Sequence, residues 1–186
     1  MTSAVVPRRR WSGVGQLLHW LCAGMILFML GLGLYMVEWV DDPARKFDLY
    51  QLHKTTGAFV FALMAIRALW RLFTVAPALP ETMPRPEQLI SKAVHLLLYG
   101  LIFAVLVSGY VMISASTLPL PIELPGGYHV PNLVAPDYEL SESAKVLHHR
   151  LAYVLMALVG LHILAALKHR LWDRDQVLQS MLPGRG

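Results

Sequence analysis

Four separate apolar stretches of about 20 residues, near 16–37, 50–73, 91–113 and 146–168, constrain this chain more than any other feature. At 1.5 Å per residue such a stretch, coiled as a helix, rises about 30 Å, the thickness of the hydrocarbon in a bilayer. A backbone in lipid must satisfy its own hydrogen bonds, which helices do and open sheets do not. The expected fold is therefore all-α, an integral membrane four-helix bundle formed as one domain by residues 1–186. The solvent inferred for it is membrane lipid, because 56% of the residues are hydrophobic, only 15% are charged and the mean hydropathy is +0.50, too apolar for an ordinary soluble domain.

The segment Met1 to Arg10 is polar and basic, and the apolar run after Trp11 is long enough to span instead of being cleaved, so the first span is expected to be retained. A net charge of +4 would suit nucleic acid, but the basic residues flank apolar segments and form no basic domain of their own. They are read as orienting charges, and no nucleic-acid partner is expected. Arg8, Arg9, Arg10, Arg67, Arg71, Arg85, Lys92, Lys168, Arg170, Arg174 and Arg185 fall at one side; Arg45, Lys46, Lys54, Lys145 and Arg150 fall at the other. The richer side is cytoplasmic by the positive-inside rule, which places both termini in the cytoplasm.

The connectors differ. Residues 38–49 read as a short polar turn, and 74–90, with Pro77, Pro80, Pro84 and Pro86, as a stiff link. Residues 114–145, rich in Pro and Gly, are expected to cap one mouth of the bundle with a short surface helix. That mouth is periplasmic if the bundle sits in a bacterial inner membrane.

Histidine spacing carries the chemistry. His148 and His162 lie 14 residues apart, which at about 100° per residue returns the helix to nearly the same face some 21 Å further along. His149 is turned about 100° away. With antiparallel neighbouring helices, His19 lies at the depth of His162 and His53 at the depth of His148. Two pairs of imidazoles at two depths result. Ionisable groups in a membrane interior are costly and mark function. Neutral imidazole suits haem iron, which takes axial ligands from opposite faces, and a bis-histidine site moves electrons instead of binding oxygen. With Cys22 as the single cysteine there is neither a disulfide nor a Cys-x-x-Cys-His attachment, so the haem would be non-covalent. Zinc suits two histidines per level less well, since a closed tetrahedral site needs four ligands. Met25, Met29, Met64 and Met156 are read as core filler.

Arg67 follows His53 by 14 residues and Arg71 lies one turn on, natural partners for haem propionates at the inner level. Gly33, 14 residues after His19, and Gly57, one turn after His53, leave room at the outer level. His169, about 20° off the His162 face and roughly 10 Å nearer the cytoplasm, is a candidate donor and proton source for a quinone carbonyl. His95, near the inner end of the third helix, is open to a propionate contact, a quinone pocket or the interface. Trp20, Trp39, Trp70 and Trp172 fit an aromatic belt.

The motifs LLHW, LHKTTG with IRALWRL and PALP, AVHLLLYGL, and VLHHR followed by GLHILAALKHR resemble the bacterial cytochrome b561 family, from about Trp11 to Pro183. The resemblance implies two b-type haems, held by His19 and His162 at the inner level and by His53 and His148 at the outer. It further implies a carrier between a periplasmic donor and the quinone pool. The family includes a superoxide oxidase that passes electrons to ubiquinone, and Lys54, Lys145 and Arg150 would draw an anion toward the outer haem. Glu123, Asp137, Glu139 and Glu142 oppose that field. Two other readings stand beside it: a haem-bearing anchor fed by a partner dehydrogenase or hydrogenase, and a metal transporter or sensor. The spans lack the interior carboxylates that a cation pathway usually offers.

Overall fold

The computed structural model describes residues 10–78, 80, 83–118 and 120–183. Arg8, Arg9 and Arg185 of the charge pattern, and Pro119 of the loop, lie outside these residues. Four helices dominate: α1 (Gly13–Glu38), α2 (Pro43–Leu72), α3 (Arg85–Ser114) and α4 (Tyr138–Lys168). All four are long and apolar enough to cross a membrane. Their lengths of 26, 30, 30 and 31 residues exceed the apolar stretches because hydropathy reports what lipid tolerates, not where a helix stops.

Capping sets the actual ends. Ser12 accepts from Gly15 N, Asp42 from Arg45 N at 2.7 Å with Pro43 following, and Asp137 from Leu140 N at 3.0 Å. Much of the polar turn expected at 38–49 is thus the first turns of α2, and α4 begins well before the apolar run. Large apolar side chains line the outside, Leu96 at 75% exposure and Leu161 at 63%, as lipid contact requires.

The helices pack as two pairs. α1 lies along α2 and α3 along α4, while the pairs meet sparsely across a seam. An apolar layer of Cys22, Ile26, Val60, Met64, Ile102 and Leu155 joins all four helices at mid-height.

Straps close the seam at its ends. At one end, the segment from Ala115 to Asp137 is anchored on α3, where Tyr110 Oη donates to Pro131 O and Ser114 Oγ accepts from Val134 N. The same segment reaches α2, where Thr55 Oγ1 donates to Glu123 O at 2.6 Å and Lys54 Nζ to the carbonyls of Leu120 and Pro121. It contains a hairpin, β1 (Ile122–Leu124) antiparallel to β2 (Tyr128–Val130), in place of the expected surface helix. Gly126 and Gly127, at φ +86° and +78°, make the reversal that a helix cannot. Tyr153 Oη also bonds Glu38 at this end, α4 to α1.

At the other end, the chain after α4 makes a π-helical turn (His169–Asp173), reverses at Arg174 in the left-handed region, and folds back over α1. There Trp11 N and Gln16 Nε2 donate to Ser180 O, and Trp20 Nε1 donates to Met181 O at 2.7 Å.

Candidate haem and quinone sites

The helical repeat places two tiers of functional side chains, one on each side of the apolar layer. In the tier near the hairpin, His53 of α2 and His148 of α4 stand with ring centres 6.3 Å apart and planes at 85°. They come from opposite pairs and face across the seam. His148 Nδ1–H donates to Val105 O at 2.8 Å, with Ser108 Oγ at 3.3 Å, which fixes the ring and leaves Nε2 free. Among the described residues, His53 Nδ1 is buried without a hydrogen-bond partner. Such an orphan in an otherwise satisfied interior suits a ring whose partner is not protein.

Both rings rest against glycine. A Cβ at Gly33 would meet His53 Cε1 at 3.4 Å, and one at Gly109 would meet His148 Cε1 and Nδ1 at 3.0 Å, closer than most side chains approach. Gly33 stood out in the sequence; Gly109 did not. Its signal was present, since Gly109 follows His95 by the same 14 residues that separate Gly33 from His19. Gly57 packs on α1, 3.6 Å from Met29 Cε to a built Cβ, and is not brought to a histidine.

The second tier gathers His19, Arg67, His95 and His162. Arg67 Nη2 donates to His19 Nδ1 at 2.9 Å, and its guanidinium lies 5.4 Å from the Tyr99 ring centre. His95 and His162 have ring centres 5.3 Å apart at 87°, and His95 Nδ1–H donates to Ser91 O at 2.6 Å. His162 and His95 both lie within electrostatic reach of His19. The ring contact of His95 with His162 was not anticipated; both residues belong to the same wall, α3 and α4. Arg71 is not brought here: it lies over Trp11 at 5.0 Å and donates to Thr74 O at 2.8 Å.

Haem fits the hairpin-side tier in the chemistry and placement of its donors. An imidazole nitrogen about 2 Å from a transition metal puts its ring centre about 3 Å away, so two rings on opposite faces stand about 6 Å apart. The 6.3 Å of His53 and His148 meets that spacing. The hairpin-side tier offers one histidine from each wall, and the other tier offers His19 from one wall and His95 and His162 from the other.

His169 lies further toward the chain termini, 8% exposed, in the π-helical turn. Its Nδ1 is 2.7 Å from Asp175 Oδ2 and 3.1 Å from Asp173 Oδ2; Nε2 is 3.8 Å from Glu87 Oε1 of α3. Lys168 bridges Glu87 and Asp173 at 2.7 Å each. None of these carboxylates was singled out from sequence, because the π-helical turn and the reversal at Arg174 bring Asp173 and Asp175 to the histidine, and Glu87 meets it from the first turn of α3.

At the opposite end, two of the three cations expected to draw an anion are engaged. Lys54 is held by two carbonyls and Lys145 pairs with Glu142 at 3.2 Å. Arg150 is exposed.

A family model described as prokaryotic cytochrome b561 matches residues 10–184. "Cytochrome b561 homolog 2" of Escherichia coli (strain K12) is 33% identical over 174 residues, covering 93% of this chain and 91% of that protein. "Cytochrome b561 homolog 1" of the same organism is 23% identical over 95% of this chain and 98% of its own length. "Probable superoxide oxidase CybB" of Yersinia pestis is 24% identical, covering 89% and 92%.

Proposed function

Because the chain belongs to the prokaryotic cytochrome b561 family, and is thus a multi-pass haem protein of electron transfer in the bacterial inner membrane, we propose that it carries two b haems and passes electrons from superoxide to ubiquinone. Superoxide gives up its electron at the His53–His148 tier, on the periplasmic side, and ubiquinone is reduced near His169, on the cytoplasmic side with both termini. The observation that carries this reading is the pairing of His53 with His148 across the seam.

His53 and His148 hold the outer haem, His19 and His162 the inner. His95 makes the closer ring contact with His162, but both belong to one wall, whereas His19 lies on the other. A group lying in the seam would be held from both walls, by His19 on one and His162 on the other. Bound haem supplies reversible one-electron chemistry at iron. The remaining tasks belong to the protein.

Val105 O and Ser108 hold the His148 ring so that Nε2 is the nitrogen offered. Gly33 and Gly109 let the outer rings approach the backbone. Arg67 places positive charge at the inner tier, where propionates need a partner. The apolar layer keeps water from joining the tiers. His169 and His95 flank the quinone, His169 as donor and proton source. Arg150 is the cation nearest in sequence to His148 that remains exposed to attract an anion.

The test is purification without other subunits, haem counting by pyridine haemochrome, and exposure to a superoxide flux with a short-chain ubiquinone. Two haems per chain, superoxide-driven Soret reduction and quinol formation support the proposal. A chain with two haems that superoxide leaves oxidised, and that only a dehydrogenase or hydrogenase partner reduces, is instead a membrane anchor. A colourless preparation sinks both.

A further inference from the structure

The carboxylates around His169 have no part in holding haem, and their arrangement is too specific for a solvated helix end. Asp175 is fixed at both oxygens, Oδ2 on His169 Nδ1 at 2.7 Å and Oδ1 on Val177 N at 2.9 Å. It reaches the ring because the π-helical turn widens the helix at His169 and the backbone then reverses, Asp175 N closing on His169 O at 3.1 Å. π-turns concentrate at functional sites because they re-aim a side chain. Among the described residues, the charged groups facing the ring are Asp173 on its own turn, Asp175 beyond it, Glu87 from α3, and Lys168 bridging Glu87 and Asp173.

With Nδ1–H committed to Asp175, Nε2 is the nitrogen left for chemistry, and the group next to it is Glu87 at 3.8 Å. Glu87 is about one-third exposed, so it meets both the ring and the water outside. We propose that Asp175 positions His169 to deliver a proton from Nε2 to the bound quinone, and that Glu87 reloads Nε2 from the aqueous phase at that end of the bundle. This rests on the quinone reading above.

The balance is complete. Two superoxide ions each lose one electron and leave as dioxygen; the quinone gains those two electrons and two protons and becomes quinol. Both protons originate in water on the side of Glu87, and one of them passes by Glu87 to Nε2 and on to a quinone oxygen. Asp175 itself gives up and takes up nothing. It holds the tautomer and aim of the ring, as a carboxylate does for a catalytic imidazole elsewhere.

The experiment uses the haem-loaded full chain with superoxide and a short-chain ubiquinone, following Soret reduction and quinol formation separately in Asp175→Asn and Glu87→Gln. Asn is isosteric and can still accept from Val177 N, so haem content and the rate of Soret reduction stay at the parental level. The expected result is a fall in kcat for quinol formation of about tenfold or more, within the range of a lost general acid, with KM little changed. Small weak acids such as formate should restore Glu87→Gln more than Asp175→Asn, which a structural role for either residue would not produce. Parental kcat in both variants, or a change confined to KM, overturns the relay while leaving the quinone reading intact. Absence of quinol formation by the parent protein overturns the quinone reading and the relay with it.

Discussion

His53 and His148 stand 6.3 Å apart at 85°, one on each wall of a seam that the helix pairs hardly fill, and each is backed by a glycine of the neighbouring helix. That separation of ring centres matches two imidazoles sharing one iron. The inner tier has the same two walls but a third histidine, and substitution separates their roles.

His53→Ala and His148→Ala are expected to lose the outer haem and keep the inner. His19→Ala and His162→Ala are expected to do the reverse, and His95→Ala to keep both. Haem per polypeptide by pyridine haemochrome, with low-temperature spectra to tell the two apart, checks all five. Loss of the same haem from His53→Ala and His162→Ala would refute the assignment by tier.

Gly109→Val places a branched side chain where a Cβ already meets the His148 ring at 3.0 Å. Overpacking of this kind costs about 1–3 kcal/mol, and here it also pushes Nδ1 off Val105 O. The outer haem should be retained at least about tenfold less well, while the inner is unaffected, as read by haem release to apomyoglobin.

Arg67→Met removes the positive charge beside His19. A nearby cation favours the reduced, less positive state of a bound haem, so its loss should lower the inner midpoint potential. At an effective dielectric near 20 the shift is on the order of 50–100 mV, measured by redox titration. An unchanged potential would mean that Arg67 serves only to hold His19.

Gly126→Val or Gly127→Val forces a β-branched residue to φ +86° or +78°. The strain is about 1–2 kcal/mol and falls on the hairpin, which then loosens its hold on Lys54 and Thr55. Limited proteolysis should cut between residues 115 and 137 sooner than in the parent, with the haems still bound.

Sequence periodicity reached some of these features and missed others, for definable reasons. The four helices followed from hydropathy, the common face of His148 and His162 from their 14-residue interval, and the pairing of His53 with His148 from matched depth on antiparallel helices, because a straight helix preserves angle and depth over that distance. His95 against His162 did not follow, since depth alone does not say which side of the bundle a helix occupies. Arg71 points to Trp11 although it shares a face with Arg67, because a long side chain takes the partner its terminus offers. The Asp175 contact with His169 depends on a π-helical turn and a left-handed residue, which 3.6-residue periodicity does not anticipate. The hairpin between α3 and α4 was hidden by the same Pro and Gly residues that ruled out a continuous helix.

The layer of Cys22, Ile26, Val60, Met64, Ile102 and Leu155 has a consequence for voltage. Electrons tunnel through such a layer, but ions do not pass. In the proposed direction, each electron carries negative charge inward with no ion beside it, so turnover polarises the membrane, negative inside. A standing potential of 100 mV then opposes a full crossing by about 2.3 kcal/mol. The bundle would therefore act as a current source throttled by the battery it charges.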